Sequence, residues 1–388
     1  MTRTEFVERL ARAAPGFELW FDSSPLAFDA WVEEEAGRAP EAERAGVSAG
    51  LVRLLPAEGM PVFRGVTTNP VLSAAVLKAD PVYWSAWVKE RSGGLRDPER
   101  LSWATYLEIV RRGAARMLPL HEESRGRWGF ISGQVNPRDA ADPERMVRQA
   151  HELRAVAPNV MVKVPATAAG LKVLRQLTLA GVPTNVTTQF TVSQVMACAK
   201  TVREAVEVAR AKGVALDRWR SVLTLMPGRF EDLGPLDAQG TSLAGGLTEE
   251  ERRWAGVAVF RRAWRLLKDG GYPSRLLLCS MRPGPGPDRC LHLEEALGDA
   301  MIVSAQPMHL KFVMDRGEAF RFRPAVEEPV PAAVLAKLQR LPYFRAAWEE
   351  GALSPQAFDA FPPVVATNRD FSKAVGEMFS FVSRAMGA

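Results

Sequence analysis

One lysine sits where lysines are rarely found. Residues 159–170 read N-V-M-V-K-V-P-A-T-A-A-G, with Lys163 inside an apolar, β-branched run of the kind that parallel strands bury on both faces. An unpaired ammonium costs far more to bury than its methylene stem recovers. One resolution is structural: the stem packs on apolar neighbours and the charge snorkels to solvent near the strand end that Pro165 marks. The other is chemical. Burial depresses a lysine pKa and leaves a neutral amine able to attack a carbonyl. Polar residues close other apolar runs as well: Asp22, Thr67 and Asn69, Gln134, Asn185 and Thr187, Thr224 and Arg229, and Ser280 with Arg282. Each has an ordinary explanation. Asp22 suits a helix cap, T-T-N-P a turn and N-cap, Thr187 a strand, and the arginines a solvated surface. Which explanation holds depends on whether the fold brings them to one place.

The elements that must position them are short apolar runs alternating with longer helical stretches. Strands are expected at about 17–22, 62–66, 129–135, 160–164, 182–187, 221–225, 275–280 and 300–303. Helical patterns lie at 70–90 and 100–117, then at roughly 142–156, 168–180, 191–212, 248–269, 291–298 and 306–313. Eight strands separated by helices predict an α/β protein with a closed (β/α)₈ barrel of the TIM type rather than an open sheet. A helix is expected at Met1–Ala14, and the 332–388 tail reads as helices packed on the outside. The whole is expected to be one barrel domain at about 17–313, with an insertion at about 23–61 and that C-terminal extension. In such barrels chemistry gathers at the carboxyl ends of the strands, which is where every polar residue named above falls. Their common placement favours the chemical reading of Lys163.

Composition narrows the function classes. A 47% hydrophobic, 24% charged chain of 388 residues is ordinary for a globular protein. The net charge of +5 is spread among interleaved acidic residues, so nucleic acid is not implied, although a mildly positive surface suits phosphorylated substrates. Cys198, Cys279 and Cys290 form no C-x-x-C pair and the four histidines never pair at ligand spacing, so neither a disulfide framework nor a metal site is expected. No run approaches the ~18 apolar residues of a membrane span. The N-terminus has no signal-peptide core. The expectation is a cytoplasmic protein.

In this order and at comparable intervals, G-V-T-T-N-P (65–70), Q-V-N-P-R (134–138), V-M-V-K-V-P-A-T-A-A-G-L (160–171), N-V-T-T-Q-F (185–190) and S-M-R (280–282) resemble the transaldolases. The similarity runs from about Phe17 to Leu310. It implies a lysine Schiff base on Lys163 with a ketose phosphate, no cofactor, and transfer of a dihydroxyacetone unit between sugar phosphates. It makes Asp22 the group that takes the proton from the hydroxyl of the bond that breaks. Thr187 would hold a catalytic water. Thr67, Asn69, Asn185 and Thr224 would bind the substrate, and Arg229, Ser280 and Arg282 would hold its phosphate, which suits the fork geometry of arginine.

Two departures stand out. Classical transaldolases carry a glutamate on strand 3 where this chain has Gln134; a carboxylate can shuttle protons through the bound water, whereas an amide can only orient it. Fructose-6-phosphate aldolases also have glutamine there but add a strand-6 tyrosine, and the matching position here is Met226. The loop after Arg282 is P-G-P-G-P (283–287) rather than the start of a helix, which alters the usual helix N-terminus at the phosphate. The 23–61 insertion leaves strand 1 at the catalytic face and is expected either to lie over the mouth or to be a solvated helical decoration. Three functions compete: a transaldolase, an aldolase releasing the three-carbon unit free, and a sugar-phosphate-binding homologue deficient in turnover. Monomer and homodimer fit equally well.

Overall fold

Eight parallel strands in sequential order close into a barrel: β1 (Glu18–Phe21), β2 (Gly65–Val66), β3 (Phe130–Gln134), β4 (Val160–Pro165), β5 (Thr184–Gln189), β6 (Ser221–Leu225), β7 (Arg275–Leu278) and β8 (Ile302–Ala305). The computed structural model describes residues 3–55 and 60–387. The expected fold class is observed. Alternation along each strand divides the side chains. Trp20, Phe130, Met161, Val222, Leu277 and Ile302 fill the barrel interior, while Leu19, Phe21, Val66, Ile131, Val162 and Val303 belong to the larger core beneath the outer helices. Trp20 fits only because its neighbour is Gly65, where a Cβ would stand 2.5 Å from the indole. At the amino-terminal end, Glu18 is buried but answered by Arg220 at 2.7 Å and Arg275 at 3.2 Å, and it accepts from the Trp20 indole at 3.0 Å.

Several expected boundaries move, each for a local reason. Only Gly65–Val66 of the expected 62–66 strand joins the ladder; Phe63 instead stacks outside the barrel on Phe21. β7 stops at Leu278 because Ser280 takes a left-handed φ of +57°. β5 runs on to Gln189 through an irregularity at Thr188, also at φ +57°. β8 starts two residues later than expected, after a turn in which Ala300 has φ +52°. The expected 70–90 helix is two helices, Pro70–Ala79 and Pro81–Ser92, because Asp80 caps the second. The expected N-terminal helix is observed as Glu5–Leu10; Met1 and Thr2 lie outside the described residues.

The insertion does not lie over the mouth. Its helices Phe28–Gly37 and Arg44–Val52 follow β1, and Phe28 and Trp31 pack on Phe21 of the outer barrel face. Arg116 of the long helix Pro98–Glu123 clamps Asp29 at 2.6 Å. This is a packed cover for strands 1 and 2. Residues 56–59 of the expected insertion lie outside the described residues.

The tail departs from expectation in the opposite sense. Its last helix, Pro362–Met386, was expected outside the barrel, yet it touches the helix that follows β2, the turn that follows β3, β5 itself and the short helix Pro227–Leu233 after β6. It therefore crosses the carboxyl ends of the strands. Val364, Phe371, Met378 and Val382 recur at helical spacing on its buried face.

Candidate active site

Parallel pairing sets the floor of the mouth. Gln134 is in register with Lys163, and Lys163 with Asn185, so three polar side chains from β3, β4 and β5 point inward at one level. Two residues earlier on the same inward face lie Ser132 and Met161. Lys163 is only 3% exposed, and its Nζ donates to the Thr68 carbonyl at 3.0 Å. It does not snorkel. Burial holds its pKa below the ordinary lysine value, with Arg229 pushing the same way and Asp22 and Cys279 opposing. The buried site thus disfavours the charged form of the amine.

Asp22 leaves the end of β1 through a backbone bond to Ala305 and is 2% exposed. Burial raises its pKa, and Lys163 and the Thr67 hydroxyl partly offset this. Thr67 donates to Oδ1 at 2.8 Å, and Cys279, whose thiol burial keeps protonated, donates to Oδ2 at 3.5 Å. Because the only hydroxyl hydrogen of Thr67 goes to Asp22, Ser304 must be the donor in its contact with Thr67. This chain of donors fixes the orientation of the carboxyl group.

A second chain of hydrogen bonds links β6, β5 and β3 across the barrel. Thr224 donates to Asn185 Oδ1 at 2.7 Å, and Asn185 Nδ2 donates to Ser132 Oγ at 3.0 Å. Thr187 is fully buried, and among the described residues its hydroxyl meets only the Met226 sulfur at 3.9 Å, a weak acceptor. Gln134 is held by its backbone, which donates to Tyr106 Oη at 2.6 Å, while its buried side-chain Oε1 has no hydrogen-bond partner among the described residues. A free amide oxygen and an undercommitted hydroxyl are what a bound water would need, since each water hydrogen bond must find a polar partner. Asn69 is partly spent as a cap: Oδ1 accepts from Val71 at 2.9 Å and Leu72 at 3.1 Å. Only its amide nitrogen is left for a ligand.

The two arginines meet at one rim. Gly228 donates its N–H to the Ser280 carbonyl at 3.1 Å, which ties the end of β6 to the end of β7. A Cβ at Gly228 would stand 2.2 Å from that oxygen and 2.8 Å from Arg282 Cγ, so glycine is required for the approach. Both guanidinium groups are already answered. Arg229 contacts Asp370 of the C-terminal helix at 2.8 Å and lies over Phe371. Arg282 meets Asp232 at 2.6 Å and the Ser280 hydroxyl at 3.3 Å. No helix starts in the Pro283–Pro287 loop; the next is the short Leu291–Glu295. Instead, the Arg282 backbone N–H is taken by His292 Nδ1 at 2.9 Å. His292 must then carry its proton on Nε2, which it donates to the buried Glu231 at 2.8 Å. Glu231 in turn holds Arg253.

Sequence reasoning did not single out Ser132, Cys279, Ser304, Asp370 or the Glu231–His292–Arg253 network. Ser132 shares the inward parity of Gln134 on β3, whereas Cys279 is out of parity with the named Ser280 and no residue of β8 was named. Asp370 and the buried network depend on long-range packing and leave no local signal.

Comparison with known proteins decides the family. A family model described as transaldolase/fructose-6-phosphate aldolase matches residues 52–284, more than half of the chain. The chain belongs to this family. A transaldolase of Thiobacillus denitrificans is 30% identical over 297 residues, covering 71% of this chain and 80% of that protein. A transaldolase of Mycolicibacterium smegmatis is 28% identical over 270 residues, covering 66% and 72%. A transaldolase of Mycobacterium tuberculosis is 29% identical over 207 residues, covering 53% of this chain and 55% of that protein. No helix among the described residues is long and apolar enough to cross a membrane.

Proposed function

We propose that this member of the transaldolase/fructose-6-phosphate aldolase family transfers a dihydroxyacetone unit between sugar phosphates through a Schiff base on Lys163. The observation that carries this reading is a 3% exposed amine of depressed pKa inside the barrel mouth, facing a buried carboxylate of raised pKa. Opposed shifts of this kind mark groups poised for covalent and proton-transfer roles.

In the proposed course the Lys163 amine adds to the ketose C2 carbonyl, and the carbinolamine loses water to give an iminium ion. Asp22 takes the proton of the C4 hydroxyl as the C3–C4 bond breaks, and that bond's electron pair flows into the iminium to leave an enamine. The aldose phosphate departs. The enamine then adds to the aldehyde carbon of an acceptor, Asp22 returns the proton, and hydrolysis frees the product ketose and Lys163. Thr187 and Gln134 are assigned the water that enters and leaves the carbinolamine. Asn185, Thr224, Thr67 and Asn69 would seat the three-carbon unit, and Arg229, Ser280 and Arg282 the phosphate. The enzyme is expected to work in the cytoplasm.

An aldolase that releases dihydroxyacetone is the second reading, and the amide at Gln134 favours it. Against it stands Met226, which has no hydroxyl for protonating a released enamine. Incubation with fructose 6-phosphate, with and without an aldose phosphate acceptor, separates the two. Transfer predicts a new ketose phosphate only when acceptor is present, with little free dihydroxyacetone; accumulation of dihydroxyacetone without acceptor would replace transfer by cleavage. A homologue deficient in turnover has no use for the Lys163–Asp22 pair.

Two further outcomes are expected. Arg229→Ala or Arg282→Ala should raise KM for a phosphorylated donor roughly 10- to 100-fold, the worth of a charge-assisted hydrogen bond, and leave that for dihydroxyacetone nearly unchanged. Asp370→Asn should act oppositely. It frees Arg229 from a half-exposed ion pair and should lower the same KM about two- to fivefold. Equal effects on both substrates would remove the phosphate role.

Gln134→Glu should restore a proton shuttle and speed Schiff-base formation roughly 10-fold or more, read by pre-steady-state trapping. A slower or unstable variant would mean that the pocket is built around the amide.

A further inference from the structure

The segment that carries Ser280 and Arg282 is irregular, and two buried histidines grip it. β7 ends at Leu278, Ser280 has φ +57°, and the next helix begins only at Leu291. Backbone groups outside a ladder must find other partners. The peptide unit between Met281 and Arg282 finds one on each side. His309, on the helix Pro307–Arg316 after β8, approaches the Met281 carbonyl through Nε2 at 3.3 Å. His292 takes the Arg282 N–H through Nδ1 at 2.9 Å. The acceptor and the donor of one peptide are thus held by two imidazoles from different elements, both fully or almost fully buried.

The partners set the tautomers. A carbonyl only accepts, so His309 donates from Nε2; an amide N–H only donates, so His292 accepts at Nδ1 and keeps its proton on Nε2, toward Glu231. Burial pushes the His309 pKa down to about 4. At neutral pH its Nδ1 is therefore a bare acceptor, buried with no hydrogen-bond partner among the described residues. An apolar side chain would fill the same space without that cost. What the imidazole adds is the donor on Nε2.

The grip determines what Arg282 can offer a ligand. With its N–H committed to His292, it can present only its side chain to an anion. That side chain folds back on its own loop: Nη1 donates to the Ser280 and Met281 carbonyls at 3.2 and 2.9 Å, and Nε to Asp232 at 2.6 Å. Among the described residues Nη2 alone is uncommitted. A guanidinium anchored to these carbonyls turns with the peptide that bears them.

We propose that His292 and His309 are positioning residues for phosphate recognition: together they fix the plane of the Met281–Arg282 peptide and so aim the Arg282 guanidinium at the rim it shares with Arg229. The inference rests on the phosphate reading of Arg282 above. It gives a role to two of the chain's four histidines, neither of which any local motif announces.

The test uses the difference between the two ring nitrogens. An asparagine amide overlies Nδ1 of histidine, and a glutamine amide overlies Nε2. His292→Asn should keep the KM for fructose 6-phosphate within about twofold of wild type, whereas His292→Gln should raise it roughly three- to tenfold, the worth of one hydrogen bond. The order reverses at His309: His309→Gln is tolerated and His309→Asn raises KM by the same factor. In all these variants kcat, and borohydride trapping of dihydroxyacetone, which has no phosphate, should hold. Hydrogen exchange resolved to the Arg282 amide needs no variant, and should be slow in the wild type although the residue lies in no helix or strand. An unprotected Arg282 amide overturns the proposal. So does the same order of asparagine and glutamine at both positions, or a parallel loss for both substrates, since either means that the rings only fill space. Arg282→Ala separates the two claims. If it raises the fructose 6-phosphate KM alone while the histidine variants fail to show the crossed order, the phosphate reading stands and the grip has no part in it. Equal effects of Arg282→Ala on both substrates remove the phosphate role, and the positioning role falls with it.

Discussion

Lys163→Met is expected to cut turnover of a ketose phosphate by on the order of 10⁴-fold or more, because the nucleophile has no substitute within the mouth. The same change should stabilise the fold. The buried site depresses the lysine pKa, so the folded state resists a proton that the unfolded chain holds below its ordinary value of 10.5. The penalty is present at neutral pH, is complete below the folded pKa, and vanishes as pH rises toward the unfolded value. Thermal unfolding at several pH values should therefore show Lys163→Met melting above wild type at neutral pH, with the gap closing as the solution becomes strongly alkaline. The wild-type rate of Schiff-base formation should lose its acid limb at a pH well below that of a free lysine. A variant that melts lower at neutral pH would mean that the amine is a structural partner of Thr68 rather than a strained nucleophile.

Asp22→Asn is expected to separate two steps. Carbon–carbon cleavage and addition should slow by about 10²–10⁴-fold, the usual contribution of a positioned acid–base group. Schiff-base formation with dihydroxyacetone, which uses Lys163 and water, should persist. Stability again carries a sign. Burial raises the Asp22 pKa above 3.8, so the cost of ionisation in the fold is present above that pH and absent below it. Asp22→Asn should melt higher than wild type at neutral pH, and the gain should disappear under strongly acidic conditions. Single-turnover kinetics with fructose 6-phosphate, quenched by borohydride, would show the iminium adduct building up in the variant. Loss of trapping and cleavage together would assign Asp22 to the amine's protonation rather than to the bond that breaks.

Much of this arrangement can be read from the chain because a parallel barrel writes its strands as apolar runs and its chemistry as polar breaks at their ends. Lys163 is the clearest case, since no other residue type contradicts a buried strand so sharply. Asp22, Gln134, Asn185 and Thr224 follow the same logic and are placed in the same inward layers. Ser132 and Ser304 are harder, because a small hydroxyl in an apolar strand is compatible with either face. Cys279 reads as a hydrophobe until the fold sets its thiol beside Asp22. Local backbone geometry also escapes periodicity. The left-handed residues Thr188 and Ser280 displace the ends of β5 and β7, and neither is the glycine that would announce such a turn.

The largest gap concerns the C-terminal helix. Its apolar spacing is legible, but spacing says only that one face is buried, and both the outer helices and the barrel mouth could bury it. The fold chooses the mouth, and so Asp370, far along the sequence from Arg229, becomes the partner of a guanidinium expected to face a phosphate. For the insertion, a run rich in Glu and Arg left open a segment over the mouth or a solvated helical decoration, and Phe28 and Trp31 anchor it to the outer face of β1.

The most direct test of the central claim is to incubate the protein with fructose 6-phosphate, reduce with borohydride, and map the modified peptide by mass spectrometry. The account predicts one reduced adduct, located on Lys163 and absent from Lys163→Met. An adduct on another lysine, or none under conditions in which the protein turns the sugar over, would contradict it.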